Sequence, residues 1–188
     1  VNNSEITKSV QVALAGLWGL AIGAYLIIAV INMVLGNIPL MGWAACLILN
    51  GSFSVGLAIF SLNLIRGKKV FFNQIFDGLS HFGVSMVAYL HVFFYTFLWT
   101  LLFLVPGIIA FLSYSMTFYI IADNPRISEK EARTRSIEMM QGKKWKLFCL
   151  YCRFIGWFFL SIVTLGLGFL FLAPYVGISV AKFYDDIK

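Results

Sequence analysis

Three long apolar runs, residues 11 to 65, 83 to 122 and 147 to 181, alternate with short stretches that hold nearly all of the charge. Arg153 is the lone Lys, Arg, Asp or Glu inside them. A helix crosses a hydrocarbon layer of roughly 30 Å in about 20 residues at 1.5 Å each, so each run is long enough to cross and return. The pattern predicts three hairpins.

Proline and glycine mark where each hairpin reverses. The first run breaks at Gly36-Asn37-Ile38-Pro39-Leu40-Met41-Gly42, which predicts helices over 11–35 and 42–65. The second breaks at Val105-Pro106-Gly107, because proline lacks a backbone donor and glycine tolerates the dihedrals of a reversal; helices over 83–104 and 107–122 follow. The third breaks near Leu165-Gly166-Leu167-Gly168, for helices over 147–164 and 167–184. The expected fold is all-α: one transmembrane domain over residues 1–188, a polytopic bundle of six spans.

The connectors at 70–80 and 128–142 read as short amphipathic helices lying along the inner leaflet. Asn124-Pro125 ends the fourth span, and Ser128 with Glu131 fits a Ser-x-x-Glu capping box. Ile127, Ala132, Ser136, Met139 and Met140 then share a face opposite Lys130, Arg133 and Arg135.

The three turns carry no charge, whereas the connectors carry Arg66, Lys68, Lys69, Arg126, Lys130, Arg133, Arg135, Lys143, Lys144 and Lys146. The positive-inside rule makes those connectors, and with six spans both termini, cytoplasmic. A hydrophobic fraction of 61%, only 12% charged residues and a mean hydropathy of +0.90 agree with a chain whose solvent is the bilayer. The first apolar run is far too long for a cleavable leader and reads as membrane helix. The net charge of +6 is topological, with no basic, aromatic-studded soluble surface for nucleic acid. Cys46, Cys149 and Cys152 lie within apolar runs and predict no structural disulfide.

A shift of 61 residues superimposes Ser54 on Ser115, Gly107 on Gly168 and Tyr114 on Tyr175, with Phe53 aligning to the two tyrosines. Gly16, Gly78 and Gly142 also recur where a helix enters the membrane. Three equivalent units running in one direction are suggested, the first matching worst.

Ser113-Tyr114-Ser115-Met116, Ala122-Asp123-Asn124-Pro125, Ile127-Ser128, Glu131-Ala132, Arg135-Ser136 and Met139-Met140-Gln141-Gly142 form a recognisable series. It continues through Phe154-Ile155-Gly156-Trp157, Leu165-Gly166-Leu167-Gly168, Pro174-Tyr175 and the closing Phe183-Tyr184. Together with the Val-Pro-Gly turn, the series resembles the bacterial integral membrane family called domain of unknown function 975, most strongly from residue 104 onward. Arg153 departs from the family pattern, in which a small polar residue precedes the Phe-Ile-Gly-Trp element. The resemblance implies a multi-span bacterial inner-membrane protein and assigns no activity.

Ionisable groups at membrane depth are costly enough to be functional candidates. His91 shares a helix face with Tyr95 and Trp99, as a proton relay or as a neutral histidine bonded to a neighbouring helix. Arg153 either binds an anion or snorkels to the headgroups. Asn50, Ser54, Tyr114, Ser115 and Tyr175 complete a polar interhelical seam, which equally suits helix packing. Lys143, Lys144, Trp145 and Lys146 form the best lipid-headgroup candidate.

No paired carboxylates lie within a span, no phosphate loop, His-Glu-x-x-His or nucleophile elbow is present, and the Cys149-x-x-Cys152 pair lacks a second ligand pair for zinc. Neither cofactor nor catalysis is expected. Two readings stand: a binding, scaffold or accessory protein contacting membrane lipids and a membrane protein partner, or a transporter of a small solute or lipid through the seam.

Overall fold

A computed structural model describes residues 3–39, 41–124, 126–164 and 166–188, with every side chain in them except that of Leu102. The regular elements of the described residues are all helices, joined by short turns. In chain order the α-helices are α1 (Asn3–Leu14), α2 (Trp18–Gly36), α3 (Met41–Ile65), α4 (Phe82–Leu102), α5 (Leu104–Tyr114), α6 (Thr117–Asp123), α7 (Glu129–Met139), α8 (Lys144–Val163) and α9 (Leu167–Ile187). Two 3₁₀ turns, Phe72–Ile75 and Asp77–His81, lead into α4. Among the described residues six helical segments are long and apolar enough to cross a membrane.

α3 is the central post. It supplies Val55 and Leu62 to one buried cluster, with Met116, Ile120, Leu147, Leu150 and Phe183, and Phe53, Phe60 and Leu64 to a second, with Val10, Leu14, Ala21 and Ile178. A helix apolar on every face suits burial by several neighbours. The peripheral hairpin tips instead turn Trp43, Phe103, Leu104, Trp157, Phe159 and Val163 outward. In water such a surface would drive association; in a bilayer it is the lipid-facing side.

The first helix differs from the pattern's expectation of a span from residue 11. Residues 3–14 form the separate helix α1, and the crossing helix begins at Trp18. Gly16, with φ +82°, adopts the left-handed conformation that ends α1 and redirects the chain. Ile6, Val10 and Leu14, four residues apart, are fully buried, so α1 packs onto the bundle along one stripe.

The second hairpin reverses at Phe103, not at Val105-Pro106-Gly107. Phe103 is extended, with φ −157° and ψ +144°, and Pro106 lies in the first turn of α5. There its missing N–H costs no helical hydrogen bond.

The fourth span is interrupted at Ser115-Met116, where a single helix over 107–122 was expected. Ser113 and Ser115 bend their hydroxyls back onto the carbonyls of Ile109 and Leu112, both at 2.7 Å. The Ser113 carbonyl, which a continuous helix would bond to the amide of Thr117, instead accepts from Ser136 Oγ at 2.7 Å. The break in one helix is thus filled by a side chain of another.

The 70–80 connector forms two short 3₁₀ turns in place of one amphipathic helix, and keeps Phe71, Phe72, Phe76 and Leu79 exposed. Its 3₁₀ turns press into α3, with Ile75 fully buried over Gly56 and Gly78 against Ser52. Ser52 Oγ and Ser85 Oγ are 3.0 Å apart, continuing the same seam of small residues into α4. Likewise α7 buries Ala132 and Ser136 against the bundle. Its N-cap is as anticipated, Ser128 Oγ accepting from the Glu131 amide at 3.3 Å, while the Glu131 carboxylate pairs with Arg135 at 3.0 Å.

Each hairpin closes over a glycine. A Cβ would overlap Leu35 at Gly42, Thr100 at Gly107 and Ser161 at Gly168, in every case the residue seven positions earlier. Gly16 and Gly142 are both left-handed and both follow the short helix that precedes a hairpin. The three units, each a short lead-in and a hairpin, therefore share a construction. The first uses a different spacing from the other two. Leu40, Pro125 and Leu165, which the turn and helix-end assignments include, lie outside the described residues.

Candidate functional site

The charged ends of three spans meet in one network. Arg66, just past α3, donates through Nη1 to Asp123 Oδ1 at 2.6 Å and through Nη2 to Asp185 Oδ1 at 2.6 Å. Its Nε reaches both Asp185 oxygens, at 3.1 and 3.2 Å. Asp123 also accepts from Tyr184 Oη at 3.2 Å and from Lys188 Nζ. Hydrogen bonds to Asp185 and then Asp123 raise the pKa of Arg66 above the ordinary arginine value, against the opposing effect of burial. Two cations balance two carboxylates, which is the arrangement of a structural clasp.

Sequence reasoning missed this cluster. The available signal was the charge of opposite sign ending three apolar runs at one side of the membrane.

His91 is drawn into a second contact with the α7 helix. Its Nδ1 lies 3.0 Å from Glu129 Oε1, and Arg133 Nε lies 3.5 Å from the same oxygen. Arg133 stands over the Tyr95 ring at 5.3 Å, and the His91 and Tyr95 rings stack at 6.0 Å. His91 thus faces an acidic residue on α7 and is not joined to Arg153.

Ser54, Tyr114 and Ser115 do come together. With Tyr25, Tyr119 and Tyr151 they line a cavity of about 270 Å³ between α2, α3, α4, α5, α6, α8 and α9. Tyr119 Oη donates to the Gly177 carbonyl at 3.1 Å, and Tyr25 Oη lies 3.5 Å from Ser61 Oγ. The lining has hydroxyls and rings but no charged side chain. Asn50 lies outside it; its carbonyl accepts from Ser54 Oγ at 2.7 Å.

Tyr175 belongs elsewhere. It packs on Trp18 and Phe154, and its hydroxyl donates to the Thr7 carbonyl at 3.4 Å. Together with Gln11, Trp18, Trp157, Leu160 and Phe171 it borders an apolar groove of about 450 Å³ along the α8–α9 hairpin. Arg153 is exposed one turn before Trp157 on α8. The single seam anticipated from sequence is therefore two separate spaces, with Asn50, His91 and Arg153 outside both linings.

At the start of α8, Trp145 is 74% exposed and stacks on Phe148, flanked by Lys143, Lys144 and Lys146. Lys143 Nζ donates to the Ile187 carbonyl at 3.2 Å, and the Lys146 carbonyl accepts from Asn3 Nδ2 at 3.0 Å. The three cysteines are free thiols. Among the described residues no group of three His, Cys, Asp or Glu is placed to hold a metal ion.

Six apolar crossings with outward-facing aromatic and aliphatic side chains define a multi-pass α-helical membrane protein. Residues 103–188 match the family described as "Protein of unknown function (DUF975)", the family whose motifs the sequence resembles. Neither the curated proteins nor the solved structures contain a significant match.

Proposed function

We propose that the chain is a non-enzymatic binding or accessory component of the bacterial inner membrane that contacts anionic lipid at the rim of Lys143, Lys144, Trp145 and Lys146. The observation carrying this reading is that three lysines occupy the N-terminal end of α8. Cations there oppose the helix macrodipole by about 0.3–1 kcal/mol each, so something outside the helix must offset them. An anionic leaflet contributes about 1 kcal/mol per basic residue, and the exposed indole of Trp145 suits the headgroup layer. Among the described residues neither Lys144 nor Lys146 has a carboxylate within ion-pair distance.

In this reading the basic connectors and both termini face the cytoplasm, and the hairpin turns face outward. The test is the anionic lipid retained by purified protein. Lys143→Glu, Lys144→Glu and Lys146→Glu together reduce retention by about tenfold or more if each lysine acts near the leaflet. Retention equal to that of the parent protein refutes the proposal.

A transport reading draws on the tyrosine-lined cavity, which gathers Ser54, Tyr114 and Ser115. It loses the two ionisable groups that motivated it, because His91 and Arg153 lie outside that lining.

A further inference from the structure

We infer that the groove between α8, α9 and the α1–α2 corner is a binding site for one acyl chain of an anionic phospholipid, with Arg153 holding its phosphate. This deepens the lipid-contact reading by adding a second site, built from different residues, to the lysine rim.

The groove is made by matched helical stripes. On α8 and its C-cap the lining residues Trp157, Leu160, Ser161 and Thr164 recur at helical spacing, and on α9 so do Leu167, Gly168, Phe171, Leu172 and Tyr175. Gly168 sits close against Ser161, so the two helices approach closely along the groove. Trp18 closes one side, its ring 6.1 Å from Phe171 and 6.3 Å from Tyr175. The volume of about 450 Å³ falls in the usual range for small-ligand sites. From Leu167 to Tyr175 the groove follows α9 for about 12 Å, eight residues at 1.5 Å each.

What distinguishes this groove from ordinary lipid-facing surface is the polar end. Arg153, exposed on α8, continues the Trp157 stripe by one turn. No carboxylate lies within ion-pair distance of Arg153 among the described residues. Gln11 projects into the same end from α1, and exposed Lys8 lies one turn before it. An unpaired guanidinium at the edge of an apolar trough calls for a partner with two acceptor oxygens on an apolar tail. A phosphodiester with its acyl chain meets both demands.

The test uses protein reconstituted in phosphatidylcholine nanodiscs that carry a trace of phospholipid with a photoactivatable acyl chain, either phosphatidylglycerol or phosphatidylcholine. Cross-links mapped by peptide are expected at Trp157, Leu160 and Phe171, with the anionic phosphatidylglycerol favoured about fivefold over the zwitterionic phosphatidylcholine, the preference of one basic contact near the headgroups. Arg153→Gln abolishes the preference, and Leu160→Trp, which fills the trough from an exposed position, abolishes the labelling. The lysine-rim triple variant leaves groove labelling intact, so the two lipid proposals fail separately. Labelling spread evenly round the bundle, or a phosphatidylglycerol preference indifferent to Arg153→Gln, would each overturn the inference.

Discussion

Replacing Arg66 by methionine is the sharpest test of what holds the charged end together. The substitution keeps an unbranched apolar stem and removes five hydrogen bonds to two carboxylates. Asp123 keeps Tyr184 Oη and Lys188 Nζ as donors, so its loss is partial. Asp185 loses all three of its hydrogen bonds from Arg66, two from Nε and one from Nη2. A charge-assisted hydrogen bond contributes about 1.5–3 kcal/mol when dry. With Asp185 one-fifth exposed, water recovers part of that, leaving about 3 kcal/mol for the whole cluster, or a hundredfold in the folding equilibrium. Reversible unfolding in mixed detergent and dodecyl sulfate micelles reads this directly. A double-mutant cycle with Asp185→Asn should return a coupling of about 1–2 kcal/mol, since the two side chains are hydrogen-bonded to each other directly. A loss below about 0.5 kcal/mol, or zero coupling, refutes the clasp.

The packing and the charge layout make two further outcomes testable. Gly56→Val places a Cβ against the Ile75 carbonyl, where no side-chain motion relieves it, and should cost about 1–3 kcal/mol or prevent accumulation of monodisperse protein. Gly83→Ala has open space around it and should be neutral by the same size-exclusion assay. In a cysteine-free background, Asn37→Cys should react with a membrane-impermeant maleimide added to intact cells and Lys130→Cys should not; labelling at position 130 reverses the proposed orientation.

Positions governed by local chemistry were legible along the chain. The Ser128 cap was readable because a hydroxyl three residues before an amide is a short-range geometric fact. The start of the first crossing was not, because Val12, Ala13 and Leu14 are as apolar as the residues of α2 and only the conformation of Gly16 separates the helices. The Pro106 turn was misplaced by a few residues, since proline serves a helix's first turn as readily as a reversal. Of the seam residues, Ser54, Tyr114 and Ser115 converge and Tyr175 does not. Polarity along a helix gives the face, and the identity of the neighbour decides which cavity that face meets.

The sequence by itself determined that this is a membrane-embedded helical protein with three reversals, because apolar run length against bilayer thickness leaves no other way to satisfy the backbone. Only the tertiary structure decided that Arg66 would find Asp123 and Asp185, separated from it by 57 and 119 residues. It likewise decided that His91 would meet Glu129 across helices, and that Arg153 would stand one turn from the groove residue Trp157 without a carboxylate partner among the described residues. Those pairings depend on the rotation and adjacency of whole helices, which the small-residue contacts at Gly56, Gly78, Gly107 and Gly168 set by allowing close approach.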